Sequence, residues 1–524
     1  MRHPELPQAR SYPERMCPLD VAPPTEPLPP PATPRVTRRR VFGGITITAV
    51  AAACTPQQFS DQLPKATNPK RVVRVAMPPT LDFVARVDRA RDLQASRGEA
   101  LRDGVDVEVV PVGIGSLAHE STDEDRLAAA KRSLAAGQRI DVIWTPFVDL
   151  GDLHRDRHIT PIAALAARDH LDLKAYSPQA LQPAFAPTDG LMALPDAIAA
   201  RQVYFRTDHL AEAGVDFRRA GFDFESPKMT WDAIRRVALD AHASPAGRSR
   251  FAFDPSSEAL PAATWAWQAG LPVSRPSMQG LGAVADALAW LLSLARELNI
   301  GPGRKAPNRT SAVRFGTVGP FPEGTAASRD DGGRHAVLAG AMTIAVDSTR
   351  LVSTIASFDA SLPIRVVELP RRDAKANGVG WGEVSGYALM TGAADDAWDL
   401  LKYMAGEDAA YASARAVAMR LPPIVRPGQL GRAPDDLPGG PRWWFPPYSG
   451  RVALDRFLAK QYRTGVKVLD EAHDHGMEQI RLVGTIPMAP GTRTWLAALE
   501  AARRAVLRDG RDPTDAAREA IAGR

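Results

Sequence analysis

The chain has only two cysteines, Cys17 and Cys54, and none in the 470 residues that follow the second. That excludes a disulfide framework for the body of the protein, and any cysteine-based zinc site there. Long hydrophobic runs are missing too: no stretch reaches the roughly eighteen apolar residues of a membrane-spanning helix. Charge bias is slight. The formal net charge is +5, but Met1–Ala53 holds seven arginines against four acids, which leaves 58 basic and 56 acidic residues in the remainder. A body so nearly balanced, with no basic stripe interleaved with aromatics, carries no footprint for nucleic acid. Several catalytic signatures are also absent, namely GxSxG, SxxK, HExxH and the phosphate loop GxxxxGK[ST]. His473 and His475 in AHDHG stand two apart, a spacing that turns them away from each other on a helix, so a solvated helical face is expected there rather than a metal site. No cofactor and no metal are expected.

What is present is a chain of 524 residues, 45% hydrophobic and 24% charged, with room for two or three domains and a large core. Residues 1–40 are proline-rich (APPTEPLPPPATP) and without periodicity, the composition of a disordered segment. Arg38, Arg39 and Arg40 follow, then Val41 and Phe42. RRVF resembles the twin-arginine export signal, carried here by Arg39, Arg40 and Phe42. The next eleven residues, GGITITAVAAA, are too short to span a bilayer but suit the apolar region of a cleavable signal. Ala51, Ala52 and Ala53 before Cys54 resemble a lipobox, although Leu is usual at the position of Ala51. That likeness implies a diacylated Cys54 as the mature N-terminus; the competing reading is an ordinary signal peptide with a coincidental cysteine. Residues 54–70 read as a polar tether that would let a domain hang from a membrane surface.

From Arg71 the chain alternates strand and helix signals. RVVRVAM and VDVEVVPV are β-branched runs, DEDRLAAAKRSLAAG has acids in its first turn and Gly137 as a stop, and IDVIW follows directly. Strand–helix–strand order argues for a parallel, doubly wound sheet. Residues 204–300 are mainly helical in pattern, as in MTWDAIRRVALDAHA and AVADALAWLLSLARELNI. Gly- and Pro-rich insertions are expected at 301–335 and 421–450, the latter containing RWWFPPYSG with Trp443 and Trp444. PIRVVELP and SGYALM are further short strands. Near the end, Trp495, Leu499, Ala502 and Val506 share a helical face, Gly510 stops that helix, and Asp512 with Pro513 starts the last one.

The order of these segments resembles that of extracellular solute-binding proteins of the carbohydrate type, the branch that includes maltodextrin-binding proteins. The likeness rests on Leu194, Pro195, Tyr204, Leu210, Ala213, Gly214, Thr230, Trp231 and Asp232; on Gly340, Ala341 and Met342; on Ala397, Trp398 and Lys402; and on the closing helix pair from TWLAALEAARR onward. Phe205-Arg206 stands where Tyr-Asn is common. The resemblance covers residues 71–524. It implies an α/β, two-lobed periplasmic-binding-protein fold of type II: each lobe a doubly wound sheet flanked by helices, joined by crossing hinge strands. Lobe 1 is expected at 71–203 and about 347–410, and lobe 2 at about 204–346 and 411–524. It further implies a monomer that closes on a small solute and hands it to ABC permease subunits with a cytoplasmic ATPase.

Sugars present a ring face of C–H groups and an edge of hydroxyls, so flat aromatics and carboxylates at strand ends are the candidates. Trp144 ends the third strand, at the carboxyl end where open α/β sheets bind ligands. Asp196 precedes the expected crossing strand. Trp267 follows a Trp-before-Gly pattern, with Trp265 an equal contender for the site and the other in the core. Asp347 follows MTIAV, where maltodextrin binders place a Trp; that departure argues against a long glucan. Trp381 and Glu383 lie in the glycine-rich GVGWGEVSG, where backbone can approach a ligand closely. Trp495 begins the penultimate helix at a position similar to a sugar-stacking Trp. Each of these has a structural alternative, as core aromatic or turn acid. At the level of function, an exported carbohydrate-active enzyme and a binding protein that signals to a membrane sensor stay open beside import.

Overall fold

A computed structural model describes residues 71–522 apart from 78–80, 112–130, 133, 222–223, 225–228, 245–250, 254–261, 272–279, 299–336, 338–339, 341, 350–361, 374–379, 421–447, 462–466 and 487. The export signal, Cys54, the tether, Trp443, Trp444 and the 301–335 insertion lie outside the described residues.

The β-branched runs make strands. β1 (Arg71–Met77) lies between β2 (Val105–Pro111) and β3 (Val142–Pro146), all parallel. β4 (Phe185–Ala186) and β5 (Gly190–Leu191) form a small hairpin. β6 (Ala193–Arg206) is the long strand, fourteen residues and all of them buried. β7 (Phe251–Phe253), β8 (Met342–Ser348), β9 (Ile364–Val367), β10 (Gly380–Leu389) and β11 (Val483–Gly484) complete the set. The main sheet runs β2-β1-β3-β10-β6-β8-β7, with β11 beside β10 and β9 beside β6. The parallel part expected from the first segments is thus β2-β1-β3, while β10 joins β3 and β6 antiparallel, as do β6 and β8.

Of GVGWGEVSG, read from sequence as a glycine-rich segment ahead of the SGYALM strand, the described part, Gly380–Gly386, lies in β10. The glycines answer to crowding: a Cβ on Gly382 would stand 2.9 Å from Val483 Cβ and 3.1 Å from Thr485 Cγ2, closer than packed carbons tolerate.

Two hydrophobic cores share no residue. The first gathers β1–β3, Leu194, Ile198 and Ala200 of β6, Val384–Leu389 of β10, α1 (Leu81–Arg97), α2 (Leu150–Arg155) and Trp398 with Leu401 of the later helix Asp395–Met404. The second gathers Val203 and Phe205 of β6, Ile344 and Val346 of β8, and helices α3 (Trp231–Ala243), α4 (Ala262–Gln268) and α5 (Leu281–Glu297). After the helix α6 (Asp395–Met404) come α7 (Glu407–Arg420), α8 (Val452–Gln461), α9 (Lys467–Ile480), α10 (Thr492–Asp509) and α11 (Pro513–Ala522). Trp495, Leu499, Ala502 and Val506 of α10 turn into the second core as their spacing predicts, Gly510 ends the helix at φ 71°, and Asp512 accepts from the backbone N–H of Thr514 at 2.8 Å. β6 belongs to both cores, changing from one to the other across Arg201 and Gln202.

One expectation fails locally. His473 does not sit on a solvated helical face: it is buried and stacks on Tyr448 with ring centroids 5.0 Å apart. The segment Tyr448–Arg451 covers it. Among the described residues no helix is long and apolar enough to cross a membrane.

Candidate functional site

The pleat of β6 sends alternate side chains to opposite faces. A β-bulge interrupts the alternation at Asp196, where Gly386 pairs with Pro195 and Ser385 with Ala197; past it, one face carries Ile198, Ala200 and Gln202. Arg86 of α1 forms an ion pair with Asp196, and both are buried. Arg86 also binds Ser413 of α7 and donates to the carbonyl of Met404 at 2.9 Å. α9 lies over the same face further along, where a Cβ on Gly380 would meet Gln479 Nε2 at 3.2 Å and one on Gly476 would meet Thr349 Cγ2 at 3.2 Å.

The other face carries Ala197, Ala199 and Arg201. Sheet register sets Ser385 opposite Ala197 and Glu383 opposite Ala199. Ser385 is part-buried and the Glu383 side chain is 49% exposed, so solvent reaches β6 and β10 from this side. Arg201 Nη2 donates to Glu383 Oε1 at 2.6 Å. The floor is therefore narrow side chains with one ion pair, placed where the two cores meet.

Two further contacts frame it. Pro146, at the end of β3, pairs with Ser385. Beyond it, buried Asp149 accepts from both Nε and Nη2 of Arg493 at 2.5 and 2.6 Å, and Asp152 accepts from the backbone N–H of Gly491 at 3.0 Å. A Cβ on Gly151 would overlap the carbonyl of Ala489. The first turn of α10 is thus fastened to the first core while its body fills the second.

On the far edge of β6, the segment Tyr448–Arg451 is tied down by Ile198 N–H donating to Tyr448 O and Ser177 N–H donating to Gly450 O, both at 2.7 Å. Asp455 accepts from Ser449 N–H, Ser449 Oγ–H and Gly450 N–H. Burial pushes the Asp455 carboxyl up to about 6, outweighing those three bonds, which act to lower it.

The structure disperses most of the residues singled out from sequence. Trp144 Nε1 donates to Asp196 Oδ2 at 3.2 Å, and its ring meets Phe83 edge-on at 5.2 Å, so these two candidates are joined, with Trp144 opposite Tyr387 and hence on the β10 face that also carries Ser385 and Glu383. Trp267 and Trp265 are both buried in the second core, where Trp265 packs with Trp231 and Trp290 at 5.5 and 5.0 Å. All seven residues of α4 are buried, which leaves neither tryptophan a solvent face. Asp347 is buried directly opposite Gln202. Trp495 is buried in the second core, two residues from Arg493. Trp381 has its backbone in β10, paired with Gly484 of β11, while its side chain lies outside what is described. Among the described candidates Glu383 is the one exposed side chain, and Trp144 is part-buried. Arg201, Asp149 and Arg493 escaped the sequence reading. Alternation along β6 was the one available signal, since an arginine within a largely apolar strand needs a counter-charge.

No group of three or more His, Cys, Asp or Glu suited to a metal occurs among the described residues. No protein-family model matches the sequence, and no curated protein matches it either. Solved structures do. The GacH receptor of Streptomyces glaucescens, solved unliganded and with acarbose, matches at TM-score 0.57 and 13% identity over 86% of this chain and 97% of its own. The ABC substrate-binding protein Lmo0181 from Listeria monocytogenes, in complex with cycloalternan, matches at TM-score 0.60 and 12% identity over 86% and 97%. The sugar-binding protein MalE from Xanthomonas citri matches at 0.57 and 16% over 86% and 95%. The chain has the two-lobed fold of the maltodextrin-binding proteins. In such a binding-protein fold the two cores are the lobe interiors, and β6, which contributes to both, is a crossing strand.

Proposed function

We propose that this protein is an extracytoplasmic receptor that captures a mono- or oligosaccharide between its lobes and delivers it to an ABC permease driven by a cytoplasmic ATPase. Export would use the Arg39–Arg40–Phe42 signal, and a lipid on Cys54 would hold the receptor at the membrane. The observation that carries this reading is the junction itself: two separate cores joined by β6, with an exposed carboxylate, Glu383 of the neighbouring β10, standing on the open face between them. A carboxylate accepts from sugar hydroxyls, and lobe closure removes the water that would compete. Glu383 and Ser385 are assigned to the ligand from the floor, with Trp381 beside them on the same strand. The lobe boundary on the first crossing strand is set at residues 201–203.

Binding only to the folded form raises apparent stability, so a thermal-shift screen over sugars, oligosaccharides and polyols is expected to find a stabilising ligand. Small-angle scattering with that ligand is expected to report a smaller radius of gyration. A melt shifted only by peptides, polyamines or metals, or turnover of the stabilising sugar into product, would refute the assignment.

A further inference from the structure

Arg201 is 8% exposed, and its bonding on the crossing-strand floor is incomplete. Nη2 donates to a single oxygen of Glu383 at 2.6 Å. Nε, on the same edge of the guanidinium, is buried and has no hydrogen-bond partner among the described residues. The Nε–Nη2 edge is the one that takes both oxygens of a carboxylate in two parallel bonds; Glu383 delivers one oxygen to it. A buried guanidinium also requires a counter-charge. Glu383 provides that charge from the neighbouring strand, through a side chain half in solvent, so water can take it back at small cost. Around the pair the floor is Ala197, Ala199 and Ser385, side chains that leave space above the strands.

We propose that Arg201 determines the specificity of the cleft and that the ligand it selects is a sugar acid. The ligand carboxylate takes the Nε–Nη2 edge of Arg201, and Glu383 swings off that edge to accept from the ligand's hydroxyls. This rests on the carbohydrate reading above. No covalent bond changes; one carboxylate replaces another on the guanidinium. A neutral sugar would meet the guanidinium with hydroxyls, which make weaker bonds to it than a carboxylate does. Closing the lobes over the Arg201–Glu383 pair with a neutral guest would also desolvate both charges while leaving Nε as it is. Glu383 is in this account the placeholder that compensates Arg201 until the guest arrives.

Calorimetric titration of the full chain with D-glucuronate, D-galacturonate and trigalacturonate, against glucose, galactose and maltotriose, tests the proposal. Uronates are expected to bind and the neutral counterparts not. Glu383→Gln removes the competing carboxylate and is expected to tighten uronate binding about threefold, the scale of one half-exposed ion pair. Arg201→Lys keeps the charge but loses the fork and is expected to weaken it at least tenfold. Ligand-free melts of both variants establish that they are folded. Binding of neutral sugars without uronates would overturn the inference and leave the carbohydrate reading standing, as would uronate affinity indifferent to Arg201→Lys. No binding of either class of sugar, or of any other in the screen above, would sink both.

Discussion

Arg86 and Asp196 show how a candidate read from chemistry alone becomes a structural residue once its neighbours are known. Asp196 was an acid beside an expected hinge; in the fold it is a buried carboxylate held by Arg86 of α1 and by Trp144. Removing one member of a buried pair strands the other charge, at a cost of about 3–5 kcal/mol. Arg86→Met is expected to lose stability on that scale in chemical denaturation, and the double variant Arg86→Met/Asp196→Leu to recover more than half of it. A loss below about 1 kcal/mol in the single variant would show that the pair is not buried as described. The tryptophans make the same point. Sequence places Trp267 and Trp495 at sugar-stacking positions, but periodicity cannot say which way a ring faces when every residue of a short helix is buried, as in α4.

At the scale of elements, much was legible. The spacing of Trp495, Leu499, Ala502 and Val506 gave α10 its buried face, Gly510 and Asp512 marked its end and the next start, and Thr230 caps α3 by accepting from Ala233 N–H at 3.1 Å. Local chemistry fixes such features, so they survive in any context. The Tyr448–Arg451 segment was not legible, because its hold on β6 comes from backbone groups far away in sequence. Its stability is tied to pH through Asp455. The folded carboxyl titrates near 6, above its ordinary value of 3.8. The folded protein therefore binds the proton more tightly than the unfolded chain does, and this contribution is fully present below about pH 4 and lost as pH rises through 6. Its size is on the order of 3 kcal/mol. Comparing wild type with Asp455→Asn isolates it from other carboxylates, such as Asp156, which Lys131 and Arg155 hold at about 2 and which acts with the opposite sign. The wild type is expected to lose stability between pH 4 and pH 6.5 relative to the variant; parallel profiles would refute the assignment.

For the whole molecule, sequence order revealed the two-lobed class, whereas the site's contacts depend on register and on chain returns. Arg201 and Glu383 are 182 positions apart and meet only because β10 pairs with β6. Asp149 and Arg493, 344 apart, meet only because α10 begins against the first core. That last pair joins a contact made nowhere near β6 or β10 in sequence. Its two parallel bonds to a buried carboxylate are expected to couple strongly: in a double-mutant cycle with Arg493→Ala and Asp149→Asn, the interaction energy should exceed about 1 kcal/mol. Additive losses would mean the contact does not hold in solution.

The fourteen buried residues of β6 also bear on biosynthesis. Half of that strand is completed by β10, and the interior to which its other half belongs takes in Trp495, Val506 and Ala520. The second half cannot settle before the segment carrying Trp495, Val506 and Ala520 has been made. The nascent chain must stay unaggregated with Val203, Tyr204 and Phe205 uncovered until that distant segment arrives, and contacts of such long sequence separation form slowly.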